Sequence, residues 1–222
     1  MRGVIPKNQR KRQGLPEGPA LKGIALQQAS LTYLEDELRC ERSMVGGASL
    51  PNTRASGVVF DTCEFRRSAF DGSVLSRLRL LDSRLEKCNA SNAEWDNAHL
   101  RRIEFLGCRL TGISLTNANC SDVLFKDCRA EFLRCEGSKW TNVRFENCVL
   151  TDADFRRTTL DRAAFIHCDL RNVDFDHAKL SSLELRDSTL DGARIEPSQF
   201  PGLTIDPLQA LALIRALGAT VV

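Results

Sequence analysis

The chain has 222 residues, a mass of 24.7 kDa and a formal net charge of +2, with 42% apolar residues. So small a charge excludes a generic nucleic-acid binder and a strongly acidic surface, no apolar run approaches a membrane span, and the first residues lack the apolar centre of a secretory leader. The expectation is a soluble cytoplasmic protein with a single core, no membrane association and no direct nucleic-acid binding.

Residues 1–19 carry Arg2, Lys7, Arg10, Lys11 and Arg12 among three prolines and three glycines, with no periodic apolar residue. They are expected to be a disordered basic tail, either simply solvated or a weak electrostatic arm for an acidic surface. From Ala20 a five-residue period begins, with Leu21, Leu26 and Leu31 as the large residues. Thr32 to Met44 loses the period, and by Val45, Leu50 and Ala55 it has returned one residue out of phase. The segment 32–57 is therefore expected to be irregular, with 32–44 as a projecting loop.

From Val58 to Phe200 every residue whose number is a multiple of five is apolar, from Phe60, Phe65 and Phe70 through Trp95, Phe125 and Trp140 to Leu190, Ile195 and Phe200. At the apolar content of this chain, chance gives such a run with probability on the order of 10⁻¹¹. The residue two before each of these is small or medium and never charged, from Val58, Cys63 and Ser68 to Ala193 and Ser198. Charged and amide residues fill the other three positions, as in Ala153-Asp154-Phe155-Arg156-Arg157.

A helix advancing ~100° per residue would spread a five-spaced residue around its whole circumference, and strict alternation would expose half of them. A chain that turns a corner every five residues keeps both inward positions facing one axis. Four turns close a square, so the coil has twenty residues and positions twenty apart stack at about 4.8 Å. Phe65, Leu85, Phe105, Phe125, Phe145, Phe165 and Leu185 then form one column, and Cys88, Cys108, Cys128, Cys148 and Cys168 another, flanked by Ser68 and Ser188. Eight of the nine cysteines fall on inward positions, which points to reduced, buried thiols rather than a disulfide scaffold or a tetrahedral metal site.

Beyond Phe200, Pro201-Gly202 ends the period. Asp206 as N-cap, Pro207 at the first helical position and Gln209 three after the cap start a helix running to about Leu217, with Gly218 as its stop. This segment, 206–222, is expected to close the end of the stack, with Leu208, Leu211, Ile214 and Leu217 as cap or dimer contacts; cap alone and cap plus homodimerisation are both open.

The pattern small-x-apolar-x-x with Leu or Phe at the large position resembles the pentapeptide repeat family over about Ala20 to Phe200. The resemblance implies an all-β fold, a right-handed quadrilateral parallel β-helix over 20–205 with a C-terminal α-helical cap. Thr204-Ile205-Asp206-Pro207 followed by Leu208 to Gly218 further resembles the cap and dimerisation helix of the bacterial quinolone-resistance members, the Qnr and MfpA types. That likeness implies a DNA mimic that binds DNA gyrase or topoisomerase IV and protects it from quinolone-type poisons. On this reading the partner-binding acids are Glu94, Asp96, Glu136, Asp154, Asp174, Asp176 and Glu196, on one wall with Arg134, Arg156, Arg157 and Arg194. The alternative is a generic interaction scaffold, for which the same acids are a solvated face of alternating sign. Catalysis needs convergent groups in a sheltered pocket, and His99, His167 and His177 all fall on outward positions without a metal-ligand spacing. The reading is a non-enzyme without cofactor or metal.

Overall fold

A computed structural model of the chain describes residues 15–216 and Thr220. Every fifth residue from Glu37 to Gly192 has a positive φ, between 46° and 72°. These left-handed residues are the corners, and the extended residues between them form the sides of the square. Gly, Asn and Asp, which tolerate this conformation best, fill most of the corners. The coil therefore rests on two sequence rules: an inward small–large pair, and a corner-tolerant residue two places after the large one.

Corners also stack. At Gly112 a Cβ would press against the Oδ1 of Asn92, one coil earlier, and Gly192 stands in the same relation to Asn172. Elsewhere the amide Nδ2 of Asn147 donates to Asp127 Oδ1 at 3.1 Å, and that of Asn172 to Asp152 Oδ1 at 3.1 Å.

The longest strands, Arg79–Glu86, His99–Leu106, Asn119–Lys126, Lys139–Glu146 and Thr159–Ile166, pair in parallel with a twenty-residue register. The register superposes like on like, so Phe105, Phe125, Phe145 and Phe165 stack at centroid spacings of 4.8, 4.4 and 4.8 Å with planes within 5°. Phe155 meets Phe145 and Phe165 edge-on, both at 88°. The predicted thiol column is buried, and each Sγ donates to backbone carbonyls two and twenty-three residues earlier, as Cys128 does to Lys126 and Phe105. Ser188 makes the same pair of bonds, to Arg186 and Phe165. Cys and Ser are thus interchangeable here because both offer a short donor.

The projecting loop expected at 32–44 is not present. Arg39–Glu41 pairs with Val59–Asp61, Ser43–Gly46 with Glu64–Arg66 and Arg54–Ser56 with Val74–Ser76, all in the regular register. The phase change lies before them: Gln27–Ala29 pairs with Ser43, Met44 and Val45, sixteen residues on instead of twenty. A coil four residues short advances the phase by one, the opposite of the one-residue loss read from Leu21, Leu26 and Leu31, so the leucines are not the residues that continue the large column. Ala29 accordingly takes the column of Val45, while Leu21, Leu26 and Leu31 are half-buried.

Part of the expected tail is also docked. Ala20 N donates to Asp82 Oδ1 at 3.3 Å and Glu17 N to Asp122 Oδ1 at 3.4 Å, so this stretch runs along the corner column Asp82, Arg102, Asp122. Residues 1–14 of that tail lie outside the described residues.

At the other end two four-residue motifs close the stack, Glu196-Pro197-Ser198-Gln199 and Asp206-Pro207-Leu208-Gln209. The first forms a 3₁₀ turn, Pro197–Gln199, and the second starts helix α1, Pro207–Ala216. The expected capping box is formed, with Gln209 N donating to Asp206 Oδ1 and Asp206 N to Gln209 Oε1, both at 2.9 Å. Each glutamine also turns its Nε2 inward: Gln199 donates to the carbonyls of Phe175 and Ala178 at 2.8 and 2.6 Å, and Gln209 to those of Leu185 and Ser188. Within the array such a carbonyl is met by a thiol or hydroxyl twenty-three residues later. At the last coils the glutamine amides take that part.

Candidate protein-binding wall

The seven acids singled out in the sequence share one flat wall. Its backbone is a ladder of parallel bridges, Glu94 to Ser114 to Arg134 to Asp154 to Asp174 to Arg194. Glu94 is exposed, Asp174 is buried at 7% exposure, and Asp96, Glu136, Asp154, Asp176 and Glu196 are half-buried.

Three of these carboxylates, Glu136, Asp154 and Asp174, are paired with guanidiniums on the wall itself. Arg156 Nη2 binds Asp154 Oδ2 at 2.6 Å and its Nε approaches Asp174 at 3.8 Å, while Arg194 pairs with Asp174 from the next coil. Arg157 Nη1 reaches Glu136 Oε1 at 3.0 Å across coils. Burial pushes the Asp154 carboxyl up, but hydrogen bonds from the Arg156 guanidinium and backbone N–H outweigh it and hold the carboxyl below the usual carboxylate range. Asp96 Oδ1 accepts from the Ser114 hydroxyl and from Thr116 N at 3.2 Å. Among the described residues, Glu94 and Asp96 form no ion pair.

His177, read from the sequence as partnerless, stands between two carboxylates: Nε2 lies 3.6 Å from Asp176 and Nδ1 3.4 Å from Glu196. The three offer donor atoms within 4.8 Å of one another and are the one group of described residues able to converge on a metal ion. Side-chain exposure of 66% at His177 makes this an open surface triad rather than a closed site. Sequence spacing could not reveal it, because Glu196 arrives from the following coil. The neighbouring groove, about 760 Å³ and open to solvent, runs from Arg156 and Asp174 to Arg194, Glu196 and Leu213.

The residue the sequence reading missed is Phe132. It stands at the corner bordering this wall with φ 58° and is 57% exposed. The other residues of that corner column, Asn52, Gly72, Asn92, Gly112, Asp152, Asn172 and Gly192, are all types that accept a left-handed backbone. A bulky aromatic there shares the left-handed backbone but departs from the column in residue type, and its apolar ring is left exposed.

On α1 the expected contacts divide. Leu208 and Ile214 are exposed, at 78% and 44%, and Leu211 is half-buried; Leu217, with Gly218, lies outside the described residues. The face turned to the last coil consists of Gln209 and Leu213, both buried. The cap is thus made by Leu213 and a polar side chain, because the exposed end of a coil offers carbonyls as well as apolar edges.

This architecture is a right-handed quadrilateral parallel β-helix of about nine turns, closed by a single C-terminal helix. The chain belongs to the pentapeptide repeat family, whose repeat-region model matches residues 49–134 and 138–210. Among solved structures, HetL, involved in heterocyst differentiation regulation in the cyanobacterium Nostoc sp. strain PCC 7120, is 16% identical with a TM-score of 0.51, over 77% of this chain and 87% of that one. A trypsin-treated form of QnrB1, a plasmid-mediated fluoroquinolone resistance protein, is 20% identical with a TM-score of 0.47, over 88% of this chain and 99% of that one. No curated protein sequence matches the chain. No helix among the described residues is long and apolar enough to cross a membrane.

Proposed function

We propose that this protein is a non-catalytic binding rod that engages a protein partner through the wall described above, with Phe132 as its apolar anchor. The observation that carries the reading is Phe132 itself: an exposed aromatic held in a left-handed corner, next to rigid carboxylate–guanidinium pairs. A bound partner would bury the ring, and aromatic anchors dominate protein interfaces. Photo-crosslinkers at Arg134 and Arg157 on the wall, and at Asn142 and Arg162 on the corner diagonally opposite Phe132, test it in cells. Adducts should form from the wall positions only and disappear when Phe132→Asn is added. Equal yields from both faces would refute it.

A narrower reading, occupation of the DNA site of gyrase or topoisomerase IV, is supported by two observations. Glu94 and Asp96 remain without a cation, and exposed Leu208 and Ile214 could join two rods through α1 into a longer one. A gyrase supercoiling titration with and without a fluoroquinolone decides between the narrower reading and a scaffold for another partner. Inhibition or drug rescue supports the topoisomerase role, and no effect leaves the scaffold. The self-association is checked by sedimentation, where Leu208→Glu should turn a dimer into a monomer.

A further inference from the structure

Of the nine cysteines, eight are buried and Cys40 is half-buried. Its exposure follows from the shortened first coil. Arg39–Glu41 pairs on one edge with Val59–Asp61, and among the described residues no strand covers the other edge. Cys63, in the next coil, donates its thiol to the Cys40 carbonyl at 3.2 Å and to the Asp61 carbonyl at 3.4 Å, and its sulfur lies 3.9 Å from that of Cys40. The two sulfurs are thus in contact, and a disulfide would bring them to the bonding distance of about 2.05 Å.

We propose that Cys40 and Cys63 form a thiol–disulfide exchange site for small disulfides of the glutathione class, with Cys40 as the attacking thiol and Cys63 as the resolving one. The Cys40 thiolate attacks one sulfur of the external disulfide, giving a mixed disulfide and releasing one glutathione thiolate. The Cys63 thiol then gives up its proton and its sulfur attacks Cys40 Sγ, expelling the second glutathione. Two protein thiols are oxidised to one disulfide, the external disulfide is reduced to two thiols, and the protons lost by the cysteines end on the glutathiones.

The local chemistry assigns the two roles. The Cys63 thiol beside it, working against burial, lowers the Cys40 thiol to about 6, and half-burial at the open edge makes Cys40 the sulfur that an external disulfide can reach. The same contact, together with burial, pushes the Cys63 thiol far up, so Cys63 stays protonated until the mixed disulfide removes its acceptor. The ladder from Cys88 to Cys168 also stacks thiol on thiol, but all of it is buried, so an external disulfide has no approach. The product ties the second coil to the third at the end of the rod where the sheet edge is uncovered.

The test uses the full chain in native buffer with excess oxidised glutathione, quenched by alkylation and read by intact mass and peptide mapping. The expected product has lost two hydrogens and carries one cross-link, Cys40 to Cys63, formed at least about tenfold faster than any other cysteine reacts. Cys63→Ser should stop at one glutathione on Cys40. That substitution suits the site, since Ser43 and Ser83 flank Cys63 in its column and the Ser83 hydroxyl donates to the Leu81 carbonyl as the Cys63 thiol does to that of Asp61. Cys40→Ser should leave the native protein unreacted. A lasting mixed disulfide on wild-type Cys40, an unreactive Cys40, or cross-links within the buried ladder would each overturn the proposal.

Discussion

Phe125 is the strictest test of the packed interior. Its ring lies between Phe105 at 4.8 Å and Phe145 at 4.4 Å, nearly parallel to both, and 5.9 Å from Trp140. It is 1% exposed, and the backbone on either side is held in register by the flanking strands, so the coils above and below cannot collapse into the space. Phe125→Ala should therefore cost toward the upper end of the ~3–5 kcal/mol range for large-to-small core changes. For a chain of this length that corresponds to a fall in Tm of about 8–20 °C. Phe125→Leu is the internal control, because Leu85 and Leu185 occupy the same column; it should cost only about 1–2 kcal/mol. Thermal melts followed by circular dichroism, with hydrogen exchange on the strands carrying Phe105 and Phe145, read both the size and the place of the loss. A Phe125→Ala melt within about 1 °C of wild type would refute the stacked column, and with it the inward register on which the fold rests.

Three further outcomes follow from the same geometry. Gln209→Ala leaves the Leu185 and Ser188 carbonyls without a donor and removes the capping box, so it should cost about 2–4 kcal/mol in a denaturant melt and release α1 first. Gly112→Ala meets both a left-handed backbone and the Asn92 amide, for about 1–3 kcal/mol, and Asn92→Gly in the same chain should recover the steric part in a double-mutant cycle. Hydrogen bonds from Arg102 hold Asp82 below its ordinary value against burial, and those from Arg171 do the same for Asp169. A depressed carboxyl contributes stability that is complete above the unfolded value of about 3.9 and is lost as pH falls through the folded value. Denaturation midpoints should therefore drop below about pH 4, and Asp82→Asn should flatten that limb while lowering the plateau.

The inward pair was legible because it obeys a strict spacing, and the eleven aromatics, tryptophans included, that meet as ring pairs do so at positions that the spacing had already assigned. The corner rule was also present in the residues, in the Asn, Asp and Gly two places after most of the large side chains, but reading it requires knowing that these positions are left-handed. Once that is known, Phe132 stands out as the one apolar side chain among the corners from Glu37 to Gly192. The short first coil was hidden by the five-residue spacing of Leu21, Leu26 and Leu31, which is not the column that Ala29 shares with Val45, and the glutamine plugs by their polarity, since a search for a cap looks for apolar side chains. His177 shows the limit most plainly: its partners Asp176 and Glu196 are a neighbour in sequence and a residue nineteen places on, a spacing meaningful only after the coil length is fixed.

Coil spacing also bears on what a wall of this fold can present. Side chains twenty residues apart stack at the strand separation, where two like charges repel by roughly 1 kcal/mol in water and about 3–4 kcal/mol at an effective dielectric of 20. A column of carboxylates is therefore unfavourable unless cations interleave it, and Asp154 and Asp174, adjacent in one column, are spanned by Arg156 and capped by Arg194. A duplex mimic must resist this neutralisation and keep its carboxylates bare for a basic partner. Here Glu94 and Asp96 form no ion pair among the described residues and Asp176 and Glu196 meet only the His177 imidazole, while Glu136, Asp154 and Asp174 are matched by guanidiniums. A charge reversal at Asp174 would set a cation against two guanidiniums and disturb the fold itself, so binding has to be probed at Glu94, Asp96 and Phe132. If a partner is lost on Phe132→Asn but not on Glu94→Gln with Asp96→Asn, shape and the aromatic anchor govern recognition; the reverse would restore electrostatic mimicry as the better account.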